Sequence, residues 1–108
     1  MRQLEGSEKQ IAWAADIRTD LLAHIAQKSG SLADQVARIE ARPEDHPYAP
    51  RHPTMAAGLN QYRQLFADLN EAAGLIENEG SAKWFIDHRH GLGYAVMAVL
   101  KRDLAMTI

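Results

Sequence analysis

Apolar residues recur along most of the chain at steps of three and four, the period of an α-helix with one buried face. Trp13, Ala14, Ile17, Leu21 and Ile25 form the first such stripe. Ser7 precedes it and Gln10 stands three residues on, the spacing of a capping box, so a helix is predicted from about Glu8 to Lys28. Asp16 and Asp20 lie on one edge of the stripe. Gly30 is expected to end the helix. A short second helix is expected from Leu32 to Ala41, capped by Ser31, with Leu32, Val36 and Ile39 as its apolar face. It ends before Pro43, whose ring disfavours helical backbone at Arg42.

All four prolines, Pro43, Pro47, Pro50 and Pro53, fall in one stretch. No helix interior tolerates that density. The stretch reads as an extended connector that lets the chain reverse, and as a natural place for a binding loop. Beyond it Met55, Leu59, Tyr62, Phe66, Leu69, Ala73 and Ile76 alternate steps of four and three, which predicts a long helix with an a/d seam. Gly58 and Gly74 lie inside it, each at a cost of roughly 1 kcal/mol against alanine. Close approach of a neighbouring helix would account for them. Ser81 is expected to cap a short helix from Ala82 to about Arg89, in which Trp84, Phe85 and Ile86 are consecutive. A last helix is expected from Leu92 to Met106, with Met97, Leu100 and Leu104 on one face. No segment alternates apolar and polar residues as a strand does.

The expected fold is an all-α compact bundle of four helices plus one short helix, a single domain over residues 1–108. Its core is predicted to hold Trp13, Ile17, Leu59, Tyr62, Phe66, Leu69, Trp84, Ile86, Met97 and Leu100.

Charge and composition narrow the function classes. Twelve basic against fourteen acidic residues leave a formal charge of −2, without the basic excess of a general nucleic-acid binder. The stretch from Ser81 onward is basic, whereas Asp68, Glu71, Glu77 and Glu79 make the end of the long helix acidic. With no cysteine there is no disulfide framework, zinc ribbon or thiol nucleophile. No apolar run approaches the roughly 20 residues of a membrane span, and no secretory signal opens the chain. A cytoplasmic location is expected.

Candidate chemistry is thin. His88, His90 and Asp87 are the nearest to a metal set, but two histidines at i, i+2 point to opposite sides of a helix. His88 is better placed as the end of the short helix, and His24 as a partly buried histidine on the first stripe. Ser7, Ser31 and Ser81 sit where helix caps belong, not on a strained nucleophile turn. Neither glycine-rich phosphate loop is present. No catalytic, cofactor-binding or metal-binding residues are expected, and no enzyme activity.

Two strings carry a resemblance. Residues 6–18 read G-S-E-K-Q-I-A-W-A-A-D-I-R, and residues 81–89 read S-A-K-W-F-I-D-H-R. They resemble the G-S-x-K-Q-[IV]-x-W-A and S-A-[KR]-x-x-I-D-N-R motifs, in the same order, of small bacterial proteins from phages, plasmids and other mobile elements. His88 stands where that group usually has Asn. The group includes an anti-CRISPR protein. The resemblance therefore implies a non-enzymatic inhibitor that binds a Cas subunit of a type I CRISPR–Cas system in the host bacterial cell. The alternative is a nucleic-acid-binding accessory module of a mobile element that uses the basic C-terminal face. Physically, the two strings also make sense as a folding signature that docks the short helix on the first. Partner contact is then expected on the proline connector, at Glu44, Asp45, His46, Tyr48 and Arg51, and on the acidic face of the long helix, at Asp68 and Glu71.

Overall fold

The computed structural model describes residues 1–104 and 106. Four helices build it: α1 (Glu8–Glu40), α2 (Pro53–Glu77), α3 (Ala82–Asp87) and α4 (Leu92–Leu100). The all-α class is as expected, with one helix fewer. The two helices expected before the prolines are one, because α1 runs unbroken for 33 residues through Gly30 and Ser31. The buried stripe explains this: Leu21, Ile25, Ser29, Leu32 and Ile39 continue at steps of three, four and seven across the glycine. Burying leucine and isoleucine on both sides outweighs the roughly 1 kcal/mol that one helical glycine costs.

α1 and α2 form an antiparallel hairpin. The backbone of Arg2, just before α1, donates to the Glu77 carbonyl at the end of α2 (2.8 Å). α3 packs on α1, and α4 packs chiefly on α2. The molecule measures 60 × 21 × 19 Å. One end is a four-helix head, and the other is the tip of the hairpin, closed by residues 41–52. These are not extended, as expected, but fold into consecutive turns. His46 N–H donates to Pro43 O (3.0 Å), Ala49 N–H to His46 O (3.1 Å) and His52 N–H to Ala49 O (3.0 Å). Ala49 is buried beneath them, and Pro53 opens α2, where its missing N–H costs nothing.

The head is centred on Ala14, Ile25, Leu65, Leu69, Ala72, Ile76, Phe85 and Val96. Leu59 and Leu69 are buried as predicted, and Ile17, Tyr62, Trp84, Ile86, Met97 and Leu100 are half-buried. Trp13 and Phe66 are not core residues: they are 49% and 37% exposed. α1 and α4 both pack on α2, so its buried face turns toward Leu65, Asp68 and Ala72 instead of following the a/d line through Phe66. On α1 the small Ala14 faces inward, and its bulky neighbour Trp13 is left outside.

α4 is shorter than expected. It ends at Leu100, and Lys101 adopts a left-handed conformation (φ 60°, ψ 35°). The N–H groups of Lys101 and Arg102 both turn back to Met97 O (2.8 and 3.3 Å). The remainder of that predicted helix includes residue 105, outside the described residues, as are 107 and 108.

Gly58 and Gly74 have no close helix beside them. A Cβ at Gly30, Gly58 or Gly74 would meet nothing within 4 Å. Gly30→Ala, Gly58→Ala and Gly74→Ala should each raise stability by about 0.5–1 kcal/mol, the helical preference for alanine. Urea midpoints of the three variants check this, and a fall at any of them would contradict the open space.

Candidate functional site

The two motif strings meet in the head. Glu5 and Ser81 form an isolated parallel β-bridge. Glu5 N–H donates to Gly80 O (2.7 Å) and Ala82 N–H to Glu5 O (3.1 Å). Gly6 lies at φ 152°, and a Cβ there would stand 3.0 Å from Gln10 Oε1 and 3.2 Å from Ala82 Cβ. This is one position where glycine is required, by both backbone conformation and space. Ser7 Oγ accepts from Gln10 N–H (3.2 Å) while Gln10 Oε1 accepts from Ser7 N–H (3.1 Å), a complete capping box. Ser81 Oγ likewise accepts from Trp84 N–H (3.2 Å). Both serines are helix caps. Ser7→Ala and Ser81→Ala should each cost about 1 kcal/mol in chemical denaturation, and Ser7→Asp should not.

Around this junction aromatic and cationic groups are stacked, from the buried Phe85 out to the exposed Trp13 and Tyr94. The Arg89 guanidinium lies 5.0 Å from the Trp13 ring centroid, and Arg18 lies 6.0 Å from that of Phe85. His88 caps α3, as expected: its Nδ1–H donates to Trp84 O (2.7 Å). Its ring stacks between those of Trp84 (4.4 Å) and Tyr94 (5.3 Å). Asp87 pairs with Lys83 (2.7 Å), one turn back, and that hydrogen bond holds its carboxyl below the usual range. His24 is exposed, not partly buried, because it lies off the inward face carrying Leu21 and Ile25. It borders a cavity of about 270 Å³ between α1 and the α3–α4 turn, with Asp20, Arg89 and His90 also in its wall.

The expected partner residues separate into two groups. Those of the connector stay at the tip. Tyr48 is 59% exposed, and its carbonyl accepts from Arg42 Nη1 (3.0 Å). His46 Nδ1 accepts from Tyr48 N–H (2.9 Å). Glu44 and Arg51 form an ion pair with each other, and Asp45 is exposed.

The acidic face is corrected. Asp68 is 1% exposed and does not face a partner. Its Oδ1 accepts from Arg102 Nη2 (2.7 Å) and Gln64 Nε2 (2.9 Å). Arg102 Nη2 also reaches Glu71 Oε2 (3.0 Å), so both carboxylates expected to attract a partner are held by one arginine. The Arg102 hydrogen bond lowers the Asp68 pKa despite the opposing effect of burial, and the same bond raises the Arg102 pKa.

Sequence reasoning missed a second feature of the tip. Gln35, Arg38, Ile39, Arg42 and Tyr62 enclose a cavity of about 220 Å³. Arg38, in the last turn of α1, and Arg42, just past its end, stand four residues apart beside the prolines, a signal present in the sequence. On another side of the hairpin, Leu32, Val36 and Phe66 line an apolar groove of about 260 Å³, bordered by the Glu40–Arg63 ion pair. Among the described residues no three His, Asp or Glu side chains converge as a metal site, and no helix is long and apolar enough to cross a membrane. No family model matches the chain, and neither a curated protein nor a solved structure does.

Proposed function

We propose that this chain is a non-enzymatic, anti-CRISPR-like inhibitor that binds a Cas subunit of a type I CRISPR–Cas system. One observation carries the reading beyond the resemblance itself. The two strings lie more than sixty residues apart, yet they pack together: Arg89 lies over Trp13, Arg18 over Phe85, and the Glu5–Ser81 bridge adjoins Gly6. Short strings that match by chance have no reason to share one structural joint. Exposed Trp13, Tyr48 and Tyr94 add the aromatic surface on which protein interfaces concentrate binding energy. The test is a pull-down with the full chain against purified type I Cas subunits, together with phage plating on a CRISPR-active strain. Capture of one subunit with restored plating supports the reading. Capture of none overturns it.

A second reading, a nucleic-acid-binding accessory module, draws on the cavity between α1 and the α3–α4 turn. Arg89, His24 and His90 border it, and Trp13 stands one turn before Ile17 on the same helix. Asp20 opposes phosphate there. Salt-dependent retention of single-stranded nucleic acid, with no Cas subunit captured, would favour this reading.

A further inference from the structure

The tip of the hairpin carries an unneutralised pair of cations. Arg38 is exposed in the last turn of α1, and Arg42 is half-buried just past the end of that helix, four residues on. Two nearby glutamates are already engaged elsewhere: Glu40 pairs with Arg63 and Glu44 with Arg51. Among the described residues neither Arg38 nor Arg42 has an acidic partner. Both border the 220 Å³ cavity, with the buried Ile39 beneath and Gln35 and half-buried Tyr62 completing the wall. No carboxylate lines it. Arg42 spends one N–H on Tyr48 O, which leaves other donors of its fork free.

We infer that this cavity is an anion-binding pocket that receives an acidic side chain of the protein partner. The inference rests on the function proposed above. A carboxylate fits a pocket of guanidinium, carboxamide and phenol donors, and paired arginines grip it in a planar fork. The surroundings select a single acidic side chain over a polyphosphate backbone. With Glu40 and Glu44 paired to Arg63 and Arg51, Asp34 and Asp45 balance Arg38 and Arg42, so the tip has no basic excess along which a polyanion could run. A continuous polyanion laid across the tip meets those carboxylates, whereas one aspartate or glutamate meets only the pocket. The partner site is then the connector and this pocket together, with Tyr48 joined to Arg42 at the boundary.

The test uses the full chain and NMR of the arginine side-chain N–H groups. Oligoglutamate peptide and a single-stranded oligonucleotide are titrated separately. The expected result is saturable, salt-sensitive movement of the Arg38 and Arg42 signals with oligoglutamate. Arg38→Gln/Arg42→Gln should lose about tenfold in affinity, and Tyr62→Phe should lose less. Arg38→Gln alone serves where loss of the Arg42–Tyr48 bond disturbs the connector. Unmoved arginine signals, or equal binding by the arginine variants, would overturn the pocket. Tighter occupation by the oligonucleotide would overturn the choice of partner. A Cas subunit that binds wild type and double variant equally removes the pocket and leaves the proposed function standing. A peptide-binding pocket on a chain that captures no Cas subunit does the reverse.

Discussion

Phe85→Ala should cost about 3–5 kcal/mol, a large fraction of the stability of a chain this size. Phe85 is the largest side chain wholly removed from solvent, at 0% exposure. It joins α3 to the core and makes an edge-to-face contact with Trp84 at 5.1 Å. Truncation removes its hydrophobic transfer energy and leaves a cavity that a six-residue helix is poorly able to fill. Phe66→Ala is the control. Phe66 is partly solvated on the apolar groove, so its loss should cost only about 1–2 kcal/mol. Thermal melts of the pair decide the matter. Equal losses would place Phe66 on the inward face of α2.

The second large effect is expected at Asp68. Arg102→Gln leaves its carboxylate buried with only Gln64 as partner, and Oδ2 already has none. The melting temperature should fall markedly at neutral pH. Joint replacement, Asp68→Leu/Arg102→Leu, should recover much of the loss, because no buried charge remains. The acid limb gives an independent check. The folded-state pKa of Asp68 is lowered, so the unfolded chain binds its proton more readily. The stabilisation is present above the unfolded value, near 3.8, and is lost as pH falls through the lower folded value. Asp68→Asn should therefore flatten the stability profile below about pH 4. An unchanged profile would remove Asp68 from the acid response. Exposed Asp87 titrates in the same direction, but added salt screens its pairing with Lys83.

Helix positions were legible from residues whose effect is local. Ser7, Gln10 and Ser81 cap the helices where their spacing placed them. The prolines closed the hairpin at the expected point, and the period from Met55 to Ile76 located α2 almost to the residue. What failed depended on distant partners. Gly30 has the local character of a stop, but α2 packs along α1 on both sides of it and holds the helix together. Phe66 fits a two-helix seam, and α4 makes α2 a helix with two neighbours. Asp68 carries no local sign of burial, for its arginine lies 34 residues later. The candidate surface was partly visible. Tyr48 and its neighbours stand at the tip, but Asp68 is buried and shares Arg102 with the exposed Glu71, and the arginines without an acidic partner there are Arg38 and Arg42 at the end of α1.

The Glu5–Ser81 bridge also sets an order of events during synthesis. The ribosome delivers residues 4–25, with the buried Leu4, Ala14, Leu21 and Ile25, before any residue of α2. Their covering partners on α2 and α3 come from Leu65 through Phe85. At translation speeds of about 5–20 residues per second, the amino-terminal stripe waits several seconds for its cover. The amino-terminal stripe is thus made before the helices that enclose it, and a nascent chain halted before Ala82 leaves it without the cover of α3.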